Sequence, residues 1–173
     1  MRRAMRAVVA SVLAGMLALT GCAAQNPRMA AEVNGVQIAQ TQVDFVADAL
    51  AVMFQTPDAP GDQQRLAAAI LVSNEVGRAV AATSGIAVSD ADRDTLIASY
   101  QDLTALSQQP GMAQVVSDYA GVALIRTELG EEAFAAAAAK VPVTLNPRFG
   151  DWDPRVAQLG SETGSLSIPA PVG

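Results

Sequence analysis

The chain has 173 residues, a single cysteine, no histidine and a formal net charge of −6 at pH 7. The absence of histidine excludes triads, general bases and metal sites that depend on an imidazole, and one cysteine excludes a disulfide within the chain. Without Arg2, Arg3 and Arg6, the remaining 8 basic and 17 acidic residues carry a net charge of −9, which disfavours nucleic acid and anionic headgroups as partners.

The N-terminus has the pattern of a secretory signal peptide. Three arginines precede an apolar run over residues 7–19, and small residues follow the run. The run is shorter than the roughly 20 residues that a membrane-spanning helix needs. We therefore predict that residues 1–21 are a signal peptide and not a transmembrane segment.

The end of this run resembles a bacterial lipobox, the motif at which a signal peptidase cuts before a lipidated cysteine. The motif consists of Leu19, Thr20, Gly21 and Cys22, with Cys22 as the lipidated residue. The alternative is an ordinary signal peptide with a chance cysteine at its cleavage site, which is the weaker interpretation because a glycine and the cysteine directly follow the apolar run. Diacylglyceryl and palmitate chains on Cys22 would hold the protein at the extracytoplasmic face of the cell membrane, at about 0.8 kcal/mol per buried methylene.

A short tether, residues 22–29, precedes a predicted hairpin and a first helix. Asn34 and Gly35 lie between β-branched residues and favour a tight turn. The helix is predicted over residues 41–55, with Thr41 and Asp44 as a capping pair. Its apolar stripe consists of Val43, Val46, Leu50 and Phe54.

The second helix, residues 62–84, is predicted to be the central one because small or apolar residues cover most of its circumference. Gly85 supplies the left-handed stop at its C-terminus. Its core-facing residues are predicted to be Leu66, Ile70, Ser73, Val76 and Val80.

Three more helices and a strand complete the predicted domain. Ser89 caps the third helix, and the fourth and fifth span residues 112–130 and 131–140. The residues at helical spacing in the fourth helix are Met112, Val116, Tyr119, Ala123 and Leu124. The stripe of the third helix consists of Leu96, Tyr100, Leu103 and Leu106. Residues 141–150 favour a strand that Pro142 restricts to a sheet edge, and residues 154–173 a flexible tail rich in Pro, Gly and Ser. The fold class is thus mostly α, with about five helices and a small β element.

Two segments of the chain resemble known sequences. The connector after the second helix reads Gly85-Ile86-Ala87-Val88-Ser89-Asp90-Ala91-Asp92. Together with the order of elements it resembles the N-terminal chaperone domain of the SurA family, over residues 30–153. The segment Asn146-Pro147-Arg148-Phe149-Gly150-Asp151-Trp152-Asp153 is similar to the end of short actinobacterial lipoproteins that carry this domain.

The resemblance implies a helical domain whose first and last strands pair and bring the chain ends together. Larger relatives also carry parvulin-type prolyl isomerase domains, but too few residues follow Asp153 for one, and no histidine is present for a parvulin-like centre. Isomerase activity is therefore not carried over. We expect no enzyme activity, no cofactor and no bound metal.

Two acidic clusters allow a functional and a structural interpretation. The acids of residues 90–94 are potential cation ligands, but they lack the turn glycine and terminal glutamate of an EF-hand loop, and they suit the first turn of a helix. Asp151 and Asp153 flank Trp152 and form a conceivable acid–base pair. A tryptophan docked on the domain between two solvated acids is the favoured interpretation.

Flexible and aromatic side chains define a possible peptide-binding surface. The candidates are Met53, Phe54, Met112 and Phe134, because methionine repacks around varied partners. A place in the core is favoured for Phe54 and Phe134, whereas the methionines are left open. For Arg148 a structural pairing is favoured over contact with a partner.

These observations lead to two functional hypotheses of different class. The first is a lipid-anchored chaperone-like or assembly factor that binds extended or unfolded segments of exported polypeptides. The second is a structural or scaffolding lipoprotein of the cell envelope that holds one fixed protein partner. The first follows from the lipobox and the SurA-like order of helices; the sequence alone does not separate the two.

Overall fold

The structure is a computed structural model that describes residues 28–55, 60–153 and 158–160. The predicted signal peptide, Cys22 and the tether before Arg28 lie outside the described residues. In chain order the elements are β1 (Met29–Val33), β2 (Val36–Ala39), α1 (Gln40–Phe54), α2 (Pro60–Ser84), α3 (Asp90–Ala98), α4 (Gln101–Ser107), α5 (Ala113–Leu129), α6 (Glu131–Ala138), β3 (Val143–Leu145), a 3-10 helix (Pro147–Phe149), β4 (Trp152–Asp153) and β5 (Gln158–Leu159).

The predicted fold class is confirmed: the described residues are mostly helical and carry a small antiparallel sheet. The sheet has the order β2-β1-β3, so the first strand lies between its hairpin partner and the strand near the C-terminus. Asn34 and Gly35 form the hairpin turn with φ angles of 50° and 81°, as their positions predicted. Val33 faces Val143 across the β1–β3 ladder, which confirms that the two ends of the domain pair.

The helix α2 is the centre of the domain, as predicted. It packs against α1, α5 and α6 and also touches β1 and β5. Its length and composition alone would allow it to cross a membrane. Its buried face, however, packs into the core of the domain and consists of Ala67, Ala68, Val72, Val76 and Val80.

The single helix predicted after Ser89 is wrong, because the chain forms two helices there. Tyr100 has extended backbone angles, φ −124° and ψ 116°, and separates α3 from α4. The Ile97 carbonyl accepts from the Tyr100 backbone N–H at 3.1 Å and from the Thr104 hydroxyl at 3.0 Å, so hydrogen bonds span the break. Serine and tyrosine are weak helix formers, and no Pro or Gly marks the site. The described residues therefore contain six α-helices instead of about five.

The predicted ends of the helices are confirmed in one case and wrong in another. The Ser89 hydroxyl accepts from the Asp92 backbone N–H at 3.1 Å, as expected for the cap of α3. The cap predicted at Thr41 is absent, because α1 begins at Gln40. Asp44 instead accepts from the Gln64 side chain at 2.9 Å and joins α1 to α2.

The C-terminal part closes the domain. Asn146 donates from its side chain to the Met29 carbonyl at 3.3 Å, and Phe149 is 2 % exposed in the 3-10 helix that follows β3. The flexible tail predicted from residue 154 needs correction for residues 158–160. Gln158 pairs with Asp153 in the β4–β5 ladder, which gives backbone groups of both short strands hydrogen-bond partners.

Candidate functional site

The described surface carries a groove between four helices, here called the apolar groove. It encloses about 220 Å³ between α1, α2, α4 and α5. Tyr119 supplies the only polar side-chain atom of its lining. The lining residues are Leu50, Met53, Phe54, Leu66, Ile70, Leu103, Leu106, Met112, Val115, Val116 and Tyr119.

A second hollow continues the groove toward α3. It encloses about 620 Å³ and shares Leu103 and Tyr119 with the first. Tyr100 adds a second aromatic ring here, and Asp102 adds the only charged side chain among the lining residues of the two hollows. The two hollows adjoin at Leu103 and Tyr119, and Asp102 places a negative charge in the second one.

The groove has a buried floor and an exposed rim. Met112 and Val116 on the floor are 0 % and 1 % exposed. On the rim, Phe54, Leu66 and Tyr119 are 49 %, 41 % and 44 % exposed. Large apolar side chains clustered on a surface are typical of interaction sites, whereas single exposed ones are ordinary.

The break between α3 and α4 creates this groove. It turns the short helix α4 so that Leu103 and Leu106 face α1 and α5. Gln109, just after α4, donates to the Ala49 carbonyl of α1 at 3.4 Å and ties the turn to the neighbouring helix. Gly111, with φ +78°, then reverses the chain so that Met112 enters the floor.

The structure brings together three of the four predicted peptide-binding residues. Met53, Phe54 and Met112 line the apolar groove. Phe134 does not: it is 1 % exposed, and the Arg126 guanidinium lies 4.6 Å from its ring centre. The core position favoured for Phe134 is thus confirmed, and the one favoured for Phe54 is wrong, since Phe54 lies on the last turn of α1 beyond the reach of the core.

Sequence reasoning assigned several groove residues to the core. Leu66, Leu103 and Tyr119 belong to apolar stripes at helical spacing, which is the ordinary signal of a buried face. Their stripes are wider than the surface that the neighbouring helices cover, so Leu66 and Tyr119 remain exposed and Leu103 is half-buried. The spacing of the apolar residues along the helix does not reveal an exposed apolar surface. Only the width of the apolar stripe around the helix does.

The acidic cluster of residues 90–94 is part of a helix start. The Arg93 guanidinium pairs with Asp90 at 2.9 Å, and the Ser89 hydroxyl donates to the Asp92 carboxylate at 2.6 Å. Among the described residues, no group of three or more His, Cys, Asp or Glu side chains is arranged to hold a metal ion.

The residues around Trp152 have structural contacts. The Trp152 side chain is half-buried and packs against the core, as expected for a docked indole. Asp151 is exposed and Asp153 half-buried, so only one of the two acids is fully solvated. The Arg148 guanidinium lies 4.6 Å from the Phe149 ring centre, which gives Arg148 a contact within the domain.

Comparisons of the chain with models of protein families, with characterised proteins and with solved structures find no significant match. The resemblance to the SurA N-terminal domain therefore stays a prediction from the sequence, and the groove is interpreted from its own geometry and chemistry.

Proposed function

We propose that the protein is a lipid-anchored, chaperone-like or assembly factor whose apolar groove binds extended apolar segments of exported polypeptides. The observation that carries the proposal is the contiguity of the groove. Its exposed rim residues Phe54, Leu66 and Tyr119 surround a preformed apolar floor, instead of being scattered over the surface.

The chemistry of the lining suits varied apolar segments. It offers area for burial, worth about 25 cal/mol per Å² of apolar surface, and almost no polar groups that would select one partner by hydrogen bonding. Met53 lies on one wall and Met112 on the floor. Their flexible thioether side chains can repack around different shapes, which favours a site for many sequences over a site for one.

The location is proposed from the sequence. The lipobox residues Leu19, Thr20, Gly21 and Cys22 lie outside the described residues. The described chain begins at Arg28, directly before β1, which pairs with β3. A lipid at Cys22 would place the domain close to the membrane face where exported chains emerge, with a tether of a few residues between them.

The proposal is tested by suppression of aggregation. The chain from Ala23 to Gly173, which keeps every described element, should slow the aggregation of several unrelated unfolded proteins. Phe54→Asp together with Leu66→Asp places two charges on the rim and should abolish the effect, because burying a charge beside apolar surface is costly. Val52→Asp is the matched control, since Val52 is 73 % exposed on the same helix as Phe54 and does not line the groove.

The outcome also separates the two functional classes. Suppression with several unrelated proteins, lost in the double rim variant and kept in Val52→Asp, supports the chaperone-like function. Absence of any suppression, together with stoichiometric recovery of one partner from membranes, would instead support a scaffold with a single fixed partner. Equal suppression by the unsubstituted chain, the double rim variant and Val52→Asp would show that the groove is not the binding site.

A further inference from the structure

The last described residue, Gly160, lies at a hollow that adjoins the apolar groove. The Gly160 backbone N–H donates to the Asp151 carbonyl at 2.7 Å, which holds β5 against β4. Leu159 and Gly160 border a hollow on α2 that is also lined by Asp62, Arg65 and Leu66. Leu66 belongs to both this hollow and the apolar groove. The last described residue, Gly160, therefore borders a hollow that shares Leu66 with the apolar groove.

The residues that follow have the chemistry of a groove ligand. Glu162 is the only charged residue after Gly160, and the apolar side chains are supplied by Leu166, Ile168 and Val172. Pro169 and Pro171 favour the polyproline II conformation, which loses little conformational entropy on binding and suits grooves lined by aromatic rings. The rings of Phe54, Tyr100 and Tyr119 line the two connected hollows.

Only a short linker separates Gly160 from the apolar residues of this segment. The five residues between Gly160 and Leu166 can span up to about 17 Å when extended, at about 3.3 Å per residue. A segment tethered by so short a linker has an effective concentration on the order of 1 mM at a neighbouring site. Weak intrinsic affinity therefore suffices for substantial occupancy.

We propose that residues 166–172 of the same chain dock in the apolar groove and compete there with client segments. Docking itself depends only on the groove. Its consequence is that the docked segment lowers the affinity for clients, and this consequence rests on the function proposed above. The occupied groove keeps its exposed rim covered until a client of higher affinity displaces the segment.

Cysteine crosslinking tests the docking. The chain from Ala23 to Gly173 contains no cysteine, so an introduced pair reports a single distance. Ile168→Cys is combined with Tyr119→Cys, in the groove on α5, or with Asp62→Cys, which borders the hollow at Gly160. Docking predicts several-fold more crosslinking to position 119 than to position 62. The reverse order, which an undocked chain gives because position 62 is nearer to its point of exit, would overturn the proposal.

Peptide binding tests the competition and separates it from the proposed function. A fluorescein-labelled Ser-Leu-Ser-Leu-Ser-Leu peptide should bind the chain ending at Gly160 about tenfold more tightly than the chain ending at Gly173, if the segment has an intrinsic dissociation constant of about 0.1 mM. Ile168→Asp in the longer chain should have the same effect, and Thr163→Asp, which adds the same charge ahead of the segment, should not.

Each result of the binding experiment has one meaning. Equal, measurable peptide affinity in both chains would contradict the built-in competitor and leave the proposed function standing. Lack of peptide binding by either chain would contradict the proposed function, while the crosslinking ratio would still decide whether the segment docks.

Discussion

The backbone of Gly77 on α2 lies directly against the side chain of Val122 on α5. A Cβ atom at Gly77 would overlap the Val122 Cγ2 methyl group, so only glycine permits this approach of the two helices. Both residues are buried, and the crossing lies within the central packing of the domain. The position of α5, and with it one wall of the apolar groove, depends on this contact.

We expect Gly77→Ala to destabilise the domain by about 1–3 kcal/mol, because the added methyl group overpacks the crossing. The measurement is urea unfolding followed by circular dichroism. Gly61→Ala is the matched control on the same helix: no atom lies within 4 Å of its Cβ position, and alanine is the better helix former. If the double variant Gly77→Ala with Val122→Ala regains part of the lost stability, overpacking at the crossing is the cause. Equal stability of Gly77→Ala and Gly61→Ala would contradict the prediction.

A second prediction concerns the C-terminal closure. Truncation after Lys140 removes β3 and Phe149, exposes one edge of β1 and opens the core, a loss of several kcal/mol that is comparable to the whole net stability of a small domain. We expect a molten or unfolded chain. Truncation after Gly160 keeps all described elements and should change little. Thermal melts compare the two, and a cooperative, unshifted transition after truncation at Lys140 would show that the C-terminal strand is dispensable.

A third prediction concerns the anchor. Cys22→Ser removes the thiol that the lipobox predicts to be lipidated, so the variant should remain unlipidated and be released from membranes or left uncleaved. In cells fed a labelled fatty acid, only the wild-type protein should carry the label. Equal labelling of wild type and variant would reject the lipoprotein interpretation.

A fourth prediction concerns catalysis. The chain has no histidine for a parvulin-like centre, so we expect no prolyl isomerase activity from it. In a protease-coupled assay with a proline-containing peptide, the chain from Ala23 to Gly173 should leave the uncatalysed rate unchanged. An acceleration proportional to its concentration would refute this expectation.

Local signals in the sequence predicted most of the fold. The turn at Asn34 and Gly35, the cap at Ser89 and the stop at Gly85 each depend on one or two residues with distinct backbone or capping chemistry, and all three appear in the structure. The break at Tyr100 was missed because the backbone becomes extended there at a position that no Gly or Pro marks.

The candidate site was predicted only in part. Met53 and Met112 were recognised by the chemistry of their side chains, but Leu66 and Tyr119 looked like ordinary core residues at helical spacing. Whether such a residue is buried depends on how far the neighbouring helix extends. Tertiary packing sets that extent, and helical spacing in the sequence does not report it. Phe54 shows this best, because its stripe on α1 continues one turn beyond the helices that bury Leu50.

The methionines provide the most direct test of the central claim. From Ala23 onward the chain contains only Met29, Met53 and Met112. Met53 and Met112 line the apolar groove, and Met29 lies in β1 and does not. With carbon-13 labelled methionine methyl groups, NMR titration with the Ser-Leu-Ser-Leu-Ser-Leu peptide should shift the signals of Met53 and Met112 and leave that of Met29 in place. Unchanged signals for both groove methionines at saturating peptide would contradict the account.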